Sequence, residues 1–122
     1  MSTVLVVDDE FDILEALKGI LELEGYRTLG APNGALALRH MQDNPPDLVI
    51  ADLMMPVMDG LELLKATRAD RQLAQVPVVL MSALKPRVSQ QEYGWTAFLQ
   101  KPFDLNALLV LVRKHAGAPG GS

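Results

Sequence analysis

No cysteine occurs anywhere in the 122-residue chain. That excludes disulfides, thiolate nucleophiles and cysteine-ligated zinc. Positive charge is scarce as well: eleven lysines and arginines face fifteen aspartates and glutamates, a formal net charge of −4. Gripping nucleic acid through its phosphates takes concentrated charge of the other sign, so no nucleic-acid binding is expected of this domain alone. No apolar run approaches the roughly 20 residues that span a bilayer, and the N-terminus lacks a basic segment followed by a cleavable apolar one. No membrane contact and a soluble, cytoplasmic location are therefore expected. A glycine-rich phosphate loop is missing after the first apolar stretch, which argues against nucleotide binding. His40 and His115, the two histidines, fall near expected helix ends and read as solvated rather than as ligands.

What the chain does have is apolar surface. Hydrophobic residues make up 49% of the sequence, enough for one domain to bury roughly two-thirds of its unfolded surface. Thr3 to Val7 is an apolar strand that stops at Asp8-Asp9-Glu10. Leu14, Leu17 and Leu21 then recur at helical spacing through Glu24, with Ile13, Ile20 and Leu23 widening the stripe and Gly25 ending it. Tyr26 to Ala31 reads as a second strand, and Asn33 as the N-cap of a helix running to about Gln42. Leu48 to Asp52 is a third strand, an apolar run ending on one carboxylate. Asp59, three residues before Glu62, has the spacing of a capping box for a helix through about Arg68. Val76 to Met81 reads as a fourth strand ending at Ser82-Ala83, and Lys85 to Gln91 as a stunted helix. Ala97 to Gln100 makes a fifth strand, followed by Lys101-Pro102-Phe103. Asp104 caps a last helix whose Leu105, Leu108, Leu109 and Val112 share a face. Residues 1–116 form the expected domain, and 117–122 have the composition of a flexible tail or linker with no means of packing.

Strands alternating with helices imply a parallel sheet covered on both faces. Right-handed crossovers then bring the C-terminal ends of all strands to one rim. Asp8, Asp9, Asp52, Ser82, Ala83 and Lys101 all fall on that rim. No single member is specific, but three carboxylates, a hydroxyl and an ammonium together form a specific constellation.

Joint order and spacing make the chain resemble the receiver domain of two-component response regulators over nearly its whole length. The likeness is carried by Val7-Asp8-Asp9-Glu10, Asn33-Gly34, Asp52 with Met55-Pro56 and Gly60, Ser82-Ala83, and Phe98-Leu99-Gln100-Lys101-Pro102-Phe103. It implies a flavodoxin-like (βα)5 sandwich with strand order 2-1-3-4-5. It also implies that Asp52 accepts a phosphoryl group from the phosphohistidine of a sensor kinase or histidine phosphotransfer protein. The result would be a phosphoacceptor signalling domain acting on a downstream protein target, not a conventional turnover enzyme; a homodimer is left open.

Electrostatics agree with that assignment. Two unit charges ~4 Å apart repel by roughly 4 kcal/mol at an effective dielectric near 20, so the bare acid cluster should hold protons or cations. Three carboxylates and one ammonium leave two negative charges, which one divalent ion cancels. Oxygen ligands without nearby Cys or His favour Mg²⁺. By resemblance, Asp9 and Asp52 bind it directly, Asp8 acts largely through water, and the Met54 carbonyl adds a ligand. Lys101 pairs with the phosphoryl oxygens, while the Ser82 hydroxyl and the Ala83 N–H donate to them. Movement of Ser82 lets Phe98 rotate inward, and the Lys101-Pro102 bond is cis.

Three departures from the family pattern stand out. Between Ser82 and Lys101 there are about three fewer positions than usual, a shortage that falls in helix four. Trp95 replaces a usual Ala, as if to cover core left bare by the short helix. Met54 and Leu84 flank the expected phosphoryl site and cannot orient an attacking water. The short helix keeps one alternative in view, a receiver-fold interaction module that works without phosphorylation.

Overall fold

Apolar strands alternate with amphipathic helices along the chain, whose residues 2–119 are described by a computed structural model. The elements are β1 (Thr3–Val7), α1 (Phe11–Leu23), β2 (Arg27–Ala31), α2 (Gly34–Asp43), β3 (Leu48–Asp52), α3 (Gly60–Ala69), β4 (Val78–Ser82), α4 (Gln90–Tyr93), β5 (Ala97–Gln100) and α5 (Leu105–Ala116). All strand pairings are parallel, and the sheet order is β2-β1-β3-β4-β5. The expected order and fold class are therefore what the chain adopts, shortened α4 included.

Alternation along the strands divides the core in two. Val4, Val6, Leu48, Ile50, Val79 and Met81 face α1 and α5, meeting Leu14, Leu17, Leu21, Leu108 and Val112. Leu5, Val7, Val49, Ala51, Val78 and Leu80 face the other way, meeting Ala37, Met41, Leu63 and Leu64 of α2 and α3. Every residue of β3 and β4 is buried, which is why these strands read as unbroken apolar runs.

Local chemistry sets the boundaries. Asn33 accepts from Leu36 N–H at 2.9 Å, Asp104 accepts from Asn106 N–H at 3.2 Å, and Asp59 and Glu62 complete the capping box. Gly25 at φ +96° ends α1 in a Schellman motif, with Gly25 N–H donating to Glu22 O and Tyr26 N–H to Leu21 O. That bond draws Tyr26 out of the expected second strand, which begins at Arg27. Leu23, read as part of the buried stripe, is 89% exposed because it lies on the far side of α1. Val76 closes a turn on Leu73 O and Pro77 lacks an N–H, so β4 starts at Val78 rather than Val76. The stunted helix lies later than expected: the Ser89 hydroxyl accepts from the N–H groups of Gln91 and Glu92, and Gly94 at φ +78° stops it.

Where α4 is short, two side chains fill in. Trp95 is half-buried against the α2–α3 side of the core, the covering role expected of it. Arg68 donates to Gly94 O through Nε and Nη2, and to Ala74 O and Val76 O through Nη1, at 2.7–3.2 Å. Burial lowers its guanidinium pKa, a cost accepted in return for fixing the entrances of both β4 and β5. Arg68→Met would strand those carbonyls; chemical denaturation should show a loss of about 2–3 kcal/mol.

Candidate functional site

Parallel register carries the chemistry to one edge. Val7 lies beside Ala51, so the next residues, Asp8 and Asp52, become neighbours as their strands end. Ser82 lies beside Gln100, and Lys101 N–H donates to Ser82 O at 2.8 Å. Asp8, Asp9 and Asp52 each bring one carboxylate oxygen to within 4.8 Å of the others. Lys101 Nζ stands 3.2 Å from Asp52 Oδ2 and 3.5 Å from Asp8 Oδ2. A cleft of about 330 Å³ opens over them, lined by Asp9, Glu10, Asp52, Met54, Ser82, Ala83, Leu84 and Lys101.

Asp8, Asp52 and Ser82 are buried, while Asp9 and Ala83 face solvent. Asp8 Oδ1 accepts from Glu10 N–H at 2.9 Å, but its Oδ2 has no hydrogen-bond partner. Asp52 Oδ1 accepts from Met54 N–H at 3.2 Å, and Ser82 Oγ accepts from Leu84 N–H at 3.2 Å. Burial pushes the Asp8 carboxyl above its ordinary value near 3.8, against the pull of the Glu10 N–H and Lys101, and the charge of Asp52 pushes the same way. For Lys101, burial alone would lower the pKa; the hydrogen bond and charge of Asp52, with the charge of Asp8, outweigh it and raise it.

The donor set fits a hard dication. Three carboxylates and no Cys or His surround a position next to Asp8 Oδ2, a buried oxygen with an ion pair to Lys101 at 3.5 Å but no hydrogen bond; one ammonium for three acids leaves negative charge in excess until a further cation arrives. Asp8→Asn removes one of the crowded charges and should raise the melting temperature of the metal-free protein by roughly 3–6 °C at neutral pH, about 1 kcal/mol. Because the Asp8 pKa is raised on folding, its stabilising contribution is complete below pH 3.8 and vanishes as pH rises through the folded value. The gain should thus shrink toward zero below pH 3.8, as thermal melts of both proteins across pH would read.

Sequence reasoning named every residue of the cluster, and the structure brings Asp8, Asp9, Asp52, Ser82, Ala83 and Lys101 together. Met54 sits beside Asp52 through its N–H, and Phe98 is half-buried next to Leu80 on the α2–α3 side. The Lys101-Pro102 peptide is cis, as the resemblance implied. Three contributions were missed. Gln100 Nε2 donates to Ala83 O at 3.2 Å, holding the loop after β4. Glu10, given no role of its own in the sequence, both lines the cleft and fixes Asp8 through its N–H. Gly60 lies so close to the end of β3 that an added β-carbon would stand 2.6 Å from Asp52 O. Glu10 and Gly60 stand among the residues that carry the resemblance, but the bond of Glu10 to Asp8 and the close approach of Gly60 to Asp52 O could not be read from it.

Comparison with known proteins decides the family. The response regulator receiver domain profile matches residues 4–113. This chain belongs to the response regulator receiver family. The receiver is 41% identical over 113 residues to the transcriptional regulatory protein PrrA of Mycobacterium tuberculosis, a match covering 90% of this chain and 48% of PrrA. It therefore spans about half the length of the curated relatives it matches. Among solved structures, Vibrio cholerae CheY4 aligns with a TM-score of 0.86 at 33% identity, covering 94% of this chain and 98% of that one. The receiver domain of the Pseudomonas aeruginosa sensor kinase PA1611, described with a magnesium ion coordinated in its active-site cleft, shares the fold at a TM-score of 0.86 and 23% identity, covering 96% and 98%. Receivers of this family are phosphoacceptor modules of two-component signalling, bind Mg²⁺ in an acidic pocket and work with histidine kinases. Among the described residues of this receiver, no helix is long and apolar enough to cross a membrane.

Proposed function

We propose that Asp52 takes a phosphoryl group from a phosphohistidine on a sensor kinase or histidine phosphotransfer protein. The observation that carries this reading is the cluster itself: three carboxylates within 4.8 Å and one ammonium shared by two of them, with the buried Asp8 Oδ2 making no hydrogen bond. In the transfer, a carboxylate oxygen of Asp52 forms the new P–O bond as the P–N bond breaks, and the imidazole keeps the leaving electron pair.

Asp8, Asp9, Asp52 and the Met54 carbonyl are the groups that would hold Mg²⁺, which when bound neutralises charge in the pocket and on the phosphoryl oxygens. Lys101 serves the same charge from the other side; its raised pKa keeps it an ammonium. The Ser82 hydroxyl, engaged here by Leu84 N–H, is free to rotate toward the phosphoryl group, with the Ala83 N–H as a second donor. Displacement of Ser82 then lets Phe98 turn inward, altering the face made by α4, β5 and α5 that a downstream protein reads. A phosphorylation-independent module has less support, because nothing in such a role requires the buried acids to converge on Lys101.

The test is incubation with acetyl phosphate with and without magnesium, followed by intact-mass analysis. A gain of about 80 Da that needs magnesium is expected; a protein that stays unmodified under both conditions would refute the reading. Met54 and Leu84 are 71% and 74% exposed over the cleft and carry no group to orient water. The phosphorylated form should therefore persist for minutes or longer after donor removal, and decay within seconds would contradict that.

A further inference from the structure

At the end of the sheet opposite Asp52, the residues after α5 do not drift away. The Tyr26 hydroxyl, on a side chain only 3% exposed, donates to Gly117 O at 2.8 Å. Ser2 Oγ donates to Ala118 O at 3.4 Å. Pro119 lies directly over Gly25, where an added β-carbon would meet the proline Cβ at 3.0 Å. Arg113 Nη2 reaches Glu24 Oε1 at 3.1 Å and joins the last turn of α5 to the end of α1. Residues 117–119 are thus attached, contrary to the unpacked tail expected from composition, while 120–122 lie outside the described residues.

We propose that residues 117–119 form a strap, latched by Tyr26, that fixes where the chain leaves the domain: over the α1–β2 turn, at the N-terminal edge of the sheet. The strap's two hydrogen bonds go to Ser2, just before β1, and to Tyr26 in the turn before β2, and Pro119 rests on Gly25 in that same turn. The far end of α5 is therefore anchored to the half of the sheet that carries neither Ser82 nor Lys101. A rearrangement around those residues would move the start of α5, next to Lys101-Pro102-Phe103, while its C-terminal end and the exit stay in place. Residues 117–119 then stay against the α1–β2 turn in both states. The sequence already marks the parts: Gly25 supplies the positive φ and the open space, and Tyr26 directly after it supplies the hydroxyl.

The test is backbone ¹⁵N relaxation on the full chain. Gly117 and Ala118 should be as ordered as α5 in the wild type and become disordered in Tyr26→Phe, which keeps the ring in the core and removes only the donor. Limited trypsin cleavage after Lys114 should speed up about fivefold in the variant, with cleavage after Lys65 unchanged. Ser2→Ala, which spares the core, should produce a smaller loosening of Ala118 and serves if the Phe variant folds poorly. Gly117 and Ala118 already mobile in the wild type, or equally ordered in wild type and both variants, would overturn the proposal.

Discussion

Asp52→Asn is expected to leave the receiver folded and to abolish its phosphoryl adduct, a loss in labelling rate on the order of 10³-fold or more. On the proposed reading the amide lacks the charged oxygen that would attack phosphorus, and no neighbour replaces it. Asp8 Oδ2 is buried and faces Lys101, while Asp9 sits outside on the exposed lip. Stability should change little, because Lys101 retains Asp8 at 3.5 Å as an ion-pair partner. Lys101→Met separates the nucleophile from its electrostatic support: a slower gain of phosphate, by about 10²-fold, is expected with Asp52 still the residue modified. Intact mass over time, with the modified residue mapped, reads both. Labelling of Asp52→Asn at the wild-type rate would place the nucleophile elsewhere.

Gly60→Ala should be the most damaging substitution of a residue without a functional group. Its β-carbon would stand 2.6 Å from Asp52 O and 2.9 Å from Leu53 Cα, and both are backbone that cannot swing aside. Gly60 N–H also donates to Leu53 O, so the start of α3 is tied to the end of β3 at the point where Asp52 leaves the sheet. Relief of the clash must move one element or the other. A cost of about 3 kcal/mol is expected in denaturant unfolding, together with slower labelling of Asp52 in the fraction that remains folded. Labelling should suffer more than the folded fraction alone accounts for, because the displaced backbone is the one that aims the carboxylate.

Why the site was legible and some of its surroundings were not follows from the range of the interactions. Asp52 and Ser82 end apolar strands, Asp8 and Lys101 directly follow them, and a parallel sheet must put those ends on one rim. Three caps, at Asn33, Asp59 and Asp104, depend on neighbours two or three residues away and were equally readable. The start of β4 was misplaced because Val76 looks like any other apolar strand residue, and only its turn onto Leu73 removes it. Leu23 continues an apolar stripe in sequence but points outward once α1 meets the sheet. Tyr26 and Arg68 bond with residues 91 and 26 positions away, respectively, and no local pattern announces such partners. Val57, exposed at φ +69°, is a β-branched residue in a conformation that favours glycine, and nothing in its type suggests it.

Everything assigned to Asp52 depends on the acid cluster accepting a divalent cation. Calorimetric titration of the metal-free receiver with magnesium tests this directly, since it needs neither a kinase nor a phosphodonor. Saturable binding of one ion per chain at millimolar concentrations, lost on replacing Asp9 with Asn, is the predicted result. Absence of any saturable binding through that range would contradict it, leaving the three converging carboxylates without the charge that balances them.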